Sequence, residues 1–281
     1  MLLAAPAAWS GLAQAQEAPV VTLPADPCLR PPQQTDLRAP RRICPYAKYR
    51  QPAGGRFEVL NGVEARPADY PALFYYFGHS GPCTASLVAS RVMVTARHCV
   101  ADGQQLYAPV STWSHTTATA TCSHVPFIAT APLVDIALCH LNRRLPGPYE
   151  RINRDPTRVI ANGTSKVTIV GFGCGAVNEP IPEKPVFRHG STTAQRTEGG
   201  ALFTSGGAAV CLGDSGGPAF IDVDAATRFQ VAVNSEGVRD GGSWLALTSV
   251  PEVVAFIDQW SKRPEINQRI CGYDVNASNC R

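Results

Sequence analysis

The stretch CLGDSGGPAF, residues 211–220, places one serine, Ser215, between an aspartate and two glycines. Gly, Ser and Asp are also the residues of ordinary surface turns, so the stretch alone is a weak indication of chemistry. A serine hydroxyl becomes a nucleophile when a base lies within hydrogen-bond reach and a third group orients that base. A catalytic role for Ser215 therefore requires a base and an acid elsewhere in the chain.

The composition excludes several classes of protein. At 281 residues the chain can form one large all-β or α/β domain, or two small ones. Charged residues make up 17% of the chain, the net charge is +3, and no basic stripe is interleaved with aromatics, so nucleic acid is not expected as a partner. The ten cysteines lack C-x-x-C or C-x-x-H spacing, which predicts disulfides in an oxidising compartment. No metal ion or cofactor is expected.

The first residues have several features of an export signal. MLLAAPAAWSGLAQAQ is small and apolar, and residues 13–15 (AQA) have the small-x-small pattern of a cleavage site, although a positively charged n-region is missing. We favour a signal peptide over residues 1–15 rather than a buried core segment; the missing charge indicates either a start upstream of Met1 or a degenerate signal. No stretch approaches the roughly 18 apolar residues of a membrane span. The protein is expected to be secreted, extracellular or periplasmic.

The residue composition and apolar pattern of the chain change at about Val59. Residues 16–58 are rich in Pro, Arg and Gln and have little apolar periodicity, which predicts a propeptide. Short β-branched and aromatic runs with turn residues between them follow, namely ALFYYF, ASLVAS, RVMVTA, KVTIVGFG, FQVAVN and SWLALTSV. These runs predict an all-β sandwich or barrel. The exception is SVPEVVAFIDQW, a predicted helix with Pro251 near its start and Val253, Val254, Phe256, Ile257 and Trp260 on one face.

Two further stretches supply the base and the acid. RVMVTARHC presents His98 before Cys99, and APLVDIALCHL presents Asp135 before an apolar run. Taken singly, such a histidine is more often structural and such an aspartate more often caps a turn. Together with GDSGGP, in the chain order His, Asp, Ser, they resemble the chymotrypsin/trypsin-like family of serine proteases. This order distinguishes that family from subtilisins and α/β-hydrolases.

Other fragments extend the resemblance over most of residues 59–260. VLNGVEA followed by Pro71 resembles the mature start of the family, and GFG at 171–173 resembles its glycine-aromatic-glycine strand end. The resemblance implies two six-stranded antiparallel β-barrels with a C-terminal helix and an active site in the cleft between the barrels. The protease domain is then residues 59–263. Residues 264–281 form a C-terminal extension without an assigned function.

The resemblance assigns a role to each catalytic residue. Ser215 attacks the substrate carbonyl and forms an acyl-enzyme, while His98 accepts the serine proton and returns it to the leaving amine. Asp135 fixes the tautomer of His98, and the N–H groups of Gly213 and Ser215 form the oxyanion hole. Arg97 departs from the family, which has a small alanine before the histidine.

The resemblance also implies disulfides. Cys83 and Cys99 match the bridge that staples the histidine loop. The family's cysteine after the substrate-lining strand is absent here after Gly237, so Cys211 is expected to pair with Cys174, at the strand end that approaches the oxyanion loop in the family fold. The remaining six cysteines are then paired by elimination as Cys122–Cys139, Cys271–Cys280 and Cys28–Cys44.

The primary specificity pocket is expected to be shallow and apolar. In the family, the residue six positions before the serine forms its floor, and here that residue is an alanine. Without a carboxylate to pair with Lys or Arg, trypsin-like specificity is disfavoured, and small or medium aliphatic side chains are favoured. The residues expected to line the pocket are Ala209, Val210, Ser235, Glu236, Gly237 and Leu245.

Activation is expected by cleavage between Glu58 and Val59, since VLNG then aligns with the family's mature start. In the family the new ammonium group pairs with the aspartate before the nucleophile, here Asp214. An apolar pocket would not accept Glu58, so a separate, glutamate-directed protease is the expected activating partner. The alternative is that residues 16–58 stay attached as an ordinary extension.

The sequence thus predicts a secreted serine endopeptidase, made as a zymogen, that hydrolyses protein or peptide substrates. The main alternative is a catalytically silent protease homologue that acts as a binding module, although all three members of the triad are present. An esterase with the same nucleophile is a third reading, which the resemblance disfavours. The sequons at Asn162 and Asn276 matter only in a glycosylating secretory pathway.

Overall fold

The computed structural model describes residues 41–44, 59–79, 81–102, 105–110, 116–174, 186–224, 226–238, 241–273 and 280. The strands are β1 (Arg41–Cys44), β2 (Val63–Glu64), β3 (Leu73–Gly78), β4 (Gly81–Ala89), β5 (Val92–Thr95), β6 (Gln105–Val110), β7 (Thr116–His124), β8 (Ala137–Leu141), β9 (Lys166–Gly171), β10 (Arg188–Glu198), β11 (Ala201–Ser205), β12 (Pro218–Asp222), β13 (Arg228–Gly237) and β14 (Ser243–Leu247). The helix α1 spans Pro251–Ser261, and the short 3-10 helices are Pro67–Asp69, Arg97–Cys99 and Pro156–Arg158.

The first barrel contains β3 to β8 in the order β3-β4-β5-β8-β7-β6, and β1 closes it between β3 and β6. Strand β1 runs antiparallel to β3 and parallel to β6. Apolar residues of the predicted runs fill its interior, including Phe74, Met93 and Leu138, each at most 1% exposed. The sequence did not predict β1, because its residues RRIC carry no alternating apolar pattern.

The second barrel contains β9 to β14 in the order β11-β14-β13-β12-β9-β10, and the pairing of β10 with β11 closes it. Strand β2 adds to its outside by pairing with β10. The interior holds alternate residues of the strands, such as Val167 and Ile169 on β9, both fully buried. The predicted all-β fold class with two barrels is confirmed.

The predicted helix is present as α1 and begins with Pro251 in its first turn, where a missing N–H costs no helical hydrogen bond. Val253, Ile257 and Trp260 are buried in the hydrophobic core that includes the interior of the first barrel. Val254 and Phe256 are partly buried and pack against this core. In the part of the chain that the structure describes, no helix is long and apolar enough to cross a membrane.

Four disulfides are formed among the described residues. They join Cys83 to Cys99, Cys122 to Cys139, Cys174 to Cys211, and Cys271 to Cys280. The first two staple the barrel that carries His98 and Asp135, since Cys99 follows the histidine and Cys139 lies on β8. Cys28 lies outside the described residues, so the expected pairing of Cys28 with Cys44 stays a prediction.

Candidate active site

Two neighbouring strands bring His98 and Asp135 together. His98 lies in the 3-10 turn that follows β5, and Asp135 lies two residues before β8. Because β5 and β8 are antiparallel, with Thr95 opposite Ala137, the end of one strand meets the start of the other. The two side chains are joined by a 2.6 Å hydrogen bond between His98 Nδ1 and Asp135 Oδ2.

Two further donors hold the Asp135 carboxylate. The backbone N–H of His98 donates to Asp135 Oδ1 at 2.9 Å, and the Ser235 hydroxyl donates to Asp135 Oδ2 at 2.6 Å. Burial acts to raise the pKa of Asp135, but its bonds to His98 and Ser235 outweigh burial and hold the pKa below its usual range. The sequence placed Ser235 only in the pocket wall and did not predict this bond. Asp135 is therefore an ionised acceptor that orients the histidine ring.

The environment of His98 raises its pKa and so makes it a stronger base. The hydrogen bond to Asp135 raises the pKa of His98 above its usual value against the opposing effect of burial, and the charges of Asp135 and Glu236 act in the same direction as the bond. With Nδ1 engaged by Asp135, Nε2 is the ring nitrogen left for acid–base chemistry. Part of the His98 side chain remains accessible, with 40% of its surface exposed.

The loop that carries Ser215 is fastened to β4. The Ser215 carbonyl accepts the N–H of Thr84 at 2.8 Å, and the Thr84 hydroxyl donates to the Gly213 carbonyl at 2.8 Å. Gly216 has a φ of +84°, and a Cβ there would overlap the Thr84 carbonyl oxygen, so only glycine fits. The GDSGG sequence is therefore needed by the packing of the loop on β4 as well as by the chemistry.

The Ser215 hydroxyl donates to the carbonyl oxygen of Ser235 at 3.4 Å. Within the described residues, no hydrogen bond joins this hydroxyl to His98 Nε2. Catalytic hydrogen bonds are often long in proteins without substrate and shorten on binding. The three residues of the expected triad lie around Ser235, which bonds both Ser215 and Asp135, and the Ser215 hydroxyl points towards β13.

The two backbone N–H groups expected to form the oxyanion hole are available as donors. Neither the N–H of Gly213 nor that of Ser215 donates a hydrogen bond to any described residue. Gly213 has a φ of +102°, which a residue with a side chain adopts only under strain. The arrangement leaves two backbone donors beside the nucleophile, as an oxyanion hole requires.

The walls of the expected specificity pocket are in contact. A Cβ on Gly237 would overlap the carbonyl oxygen of Val210, and the N–H of Val210 donates to Ser243 Oγ at 2.8 Å. Ala209 is fully buried, and Leu245 lies fully buried in the same apolar cluster as Val210. The sequence did not predict Ser243, although it lies opposite Gly237 in the register of β13 and β14. A substrate side chain can enter here only if these walls separate.

The open part of the site is a cleft of about 820 Å³. His98, Asp135 and Ser235 line one part of it, together with Glu236 and Trp244. Glu236 is exposed and acts on His98 through its charge. The cleft therefore presents a carboxylate and an aromatic ring next to the triad.

The cluster closest to a metal site is Cys83, His98 and Cys99. Both cysteines are joined in a disulfide, which leaves no thiolate to coordinate an ion. Among the described residues this cluster offers one ligand, the imidazole of the triad.

Comparison with known proteins agrees with this geometry. The family model described as Trypsin matches residues 59–257. The chain belongs to the trypsin family. The matched residues contain β2 to β14 and most of α1, and they include His98, Asp135 and Ser215. No curated protein shows significant sequence similarity to this chain.

Solved structures of the same fold are distant in sequence. Two of them are the atomic resolution structure of HBP and a structure of human heparin binding protein. Each is 18% identical to this chain with a TM-score of 0.54, and each alignment covers 73% of this chain and 97% of the solved chain. A double mutant of human heparin binding protein is 17% identical with the same TM-score and coverage. At this identity the likeness shows the fold alone.

The charge of Glu236 gives a prediction for the pH dependence of this trypsin-family chain. If His98 is the catalytic base it must be neutral to accept the serine proton, so we expect hydrolysis to rise as the pH passes its raised pKa. Removing the carboxylate in Glu236→Gln lowers that pKa, and the acid limb of the kcat/KM profile moves to lower pH. The matched control is Glu265→Gln, whose charge acts on His140. A limb that stays in place in Glu236→Gln, or moves to higher pH, contradicts the assignment.

Proposed function

We propose that this chain is a secreted serine endopeptidase, made as a zymogen, that hydrolyses peptide bonds in protein or peptide substrates. The observation that carries the proposal is the 2.6 Å bond between His98 and Asp135, formed beside a serine whose loop leaves two backbone N–H donors free. The four disulfides favour an oxidising compartment and so a secreted protein.

The mechanism follows from these positions. Rotation of the Ser215 hydroxyl from the Ser235 carbonyl to His98 Nε2 lets the imidazole take its proton as Oγ attacks the substrate carbonyl. Asp135 stabilises the imidazolium, and the N–H groups of Gly213 and Ser215 receive the developing oxyanion. His98 then protonates the leaving amine, and water hydrolyses the acyl-enzyme by the same route in reverse.

A fluorophosphonate probe tests the proposal, because it reacts with an activated serine. Fully processed protein should be labelled, and labelling should be lost in Ser215→Ala. Ser205→Ala, at the end of β11, is the matched control and should be labelled like the parent protein. Absence of labelling in processed parent protein would contradict the enzyme.

The second candidate is a catalytically silent homologue that binds a partner. Two observations favour it: the Ser215 hydroxyl bonds Ser235 instead of His98, and the walls of the specificity pocket are in contact. Both features also suit a proenzyme before activation. The two readings diverge after processing, since a binding module would remain unreactive towards the probe when it begins at Val59.

For the active enzyme we propose cleavage after small or medium apolar residues. The buried Ala209 and Val210 offer no charge to a basic side chain, and the glycine at 237 lies against the Val210 carbonyl oxygen. A panel of chromogenic peptides that differ only in the residue before the scissile bond should give the highest kcat/KM for Ala or Val. Fastest cleavage after Arg would overturn this specificity and leave the protease itself intact.

A further inference from the structure

The carboxylate of Asp214 is buried beside the nucleophile. Asp214 is 0% exposed, its Oδ1 accepts the N–H of Gly173 at 2.7 Å, and its Oδ2 accepts the N–H of Cys211 at 2.9 Å. The disulfide from Cys174 to Cys211 ties the two donor segments together. Asp214 therefore connects the strand end after β9 to the loop that carries Ser215 through both of its carboxyl oxygens.

Ionisation of this carboxylate is costly. Burial raises the pKa of Asp214 to about 7, against the two N–H bonds and the charge of Arg188, which lower it. A buried charge is retained in proteins when it is paired with an opposite charge. Arg188 is the charged side chain that acts on Asp214 among the described residues.

The register of the second barrel places Arg188 on the same face as this carboxylate. Arg188 on β10 lies directly opposite Gly171 on β9, and directly opposed residues of an antiparallel pair project to one face of the sheet. A Cβ on Gly171 would overlap Asp214 Oδ1, so the carboxylate occupies the space of the missing side chain. Arg188 itself is only 4% exposed. A buried guanidinium and a buried carboxylate thus share one side of β9 and β10.

We propose that Arg188 is an internal counter-ion for Asp214 that orders the oxyanion loop in part before the chain is cut. The uncut chain is then a proenzyme with residual activity instead of an inert one, and this part rests on the proposed protease function. Cleavage adds an ammonium group to a carboxylate that Arg188 already holds ionised in a fraction of molecules. Arg188 is a positioning residue, since it acts through Asp214.

Glu64 provides the matched control. It lies opposite Arg188 on the other side, in β2, and is exposed. If Arg188 served only to pair with this surface carboxylate, Glu64→Gln would have the same consequences as loss of the guanidinium. Under our proposal Glu64→Gln leaves the reactivity of the uncut chain within about two-fold.

The activity test uses uncut protein carrying Glu58→Gln, with its intact mass verified. At pH 8, Arg188→Met should slow probe labelling at Ser215 at least ten-fold, while Arg188→Lys should keep most of the rate. In processed protein beginning at Val59 the same Arg188→Met change should cost much less, because the ammonium replaces the missing cation. Equal losses in uncut and processed protein, or no loss in uncut protein, would overturn the proposal.

A stability cycle tests the ion pair without any activity. In uncut protein, Arg188→Met should lower the thermal midpoint more at pH 8 than at pH 5, because Asp214 is protonated at the lower pH. In the Asp214→Asn background this difference should vanish. Arg188→Gln replaces Arg188→Met if the latter does not fold. A loss of thermal midpoint that does not depend on pH would overturn the ion pair. If the stability cycle behaves as expected but processed protein is not labelled by the probe, the protease function and the residual activity are refuted and the ion pair stands.

Discussion

Replacing Ser215 by alanine is expected to lower kcat for peptide hydrolysis by about 10⁶-fold, the loss typical when a triad nucleophile is removed. The physical reason is that the acyl-enzyme cannot form without Oγ. The remaining reaction, supported by the free backbone N–H groups at positions 213 and 215 and by binding, should exceed the rate in water by about 10³ to 10⁴. Steady-state turnover of one peptide at pH 8 measures the loss, with protein processed to Val59.

The same reasoning applies to His98. His98→Ala should lose about as much as Ser215→Ala, and the double variant should lose little more, because the two residues act as one unit. The circular dichroism spectrum of each variant should match that of the parent, since 40% of the His98 side-chain surface is exposed. Near-normal turnover in Ser215→Ala would refute the mechanism, and strictly multiplicative losses would show that His98 acts independently of the serine.

The placement of His98 and Asp135 was predicted through the family resemblance, and the structure shows that it depends on strand order. Each residue adjoins a run of buried apolar residues, and antiparallel pairing of these two runs leaves one arrangement of their ends. The glycine-rich loop could be predicted for a similar reason, since its glycines occupy positions where a side chain would overlap backbone. These features are local patterns or follow from one strand pairing.

Other parts of the site depend on single contacts between distant segments. Thr84 binds the Gly213 carbonyl across 129 residues of sequence, and Ser235 reaches Asp135 across 100. A lone hydroxyl within an apolar strand gives no periodic signal, so neither contact could be read from the sequence. The contact between Gly237 and Val210 is of the same kind, because the sequence predicts which residues line the pocket but not the distance between its walls.

Cleavage between Glu58 and Val59 is the second change with a large expected effect. In the structure Val59 is fully buried, and Leu60 and Ala209 exchange backbone hydrogen bonds of 3.1 and 3.0 Å. The segment after the proposed cut therefore already lies against the stretch that leads into the oxyanion loop. Glu58 itself lies outside the described residues.

We expect protein that begins at Val59 to turn over peptide substrate at least about 100-fold faster than the uncut chain. Removing one partner of a buried ion pair costs about 3 to 5 kcal/mol, and a tenfold change corresponds to about 1.4 kcal/mol. The uncut chain lacks the ammonium partner, and among the described residues Arg188 supplies the charge that favours ionised Asp214, beside the N–H bonds from Gly173 and Cys211. N-terminal sequencing of the active fraction, together with turnover before and after cleavage, measures the effect.

The pH dependence of Asp214 ionisation gives a second, independent test of this prediction. In the uncut chain burial raises the pKa of Asp214 to about 7, so the buried carboxylate loses its charge, and with it the attraction to Arg188, as the pH falls through 7. The ammonium of Val59 favours the ionised carboxylate and lowers that pKa, so in cut protein Asp214 should stay ionised and paired to lower pH than in uncut protein. A chain cut after Arg56 is the matched control, because Phe57 and Glu58 then hold the ammonium away from Asp214 and the gain should be lost. Full activity with Glu58 still joined to Val59, or an equal gain after either cut, would show that activation does not proceed through Asp214.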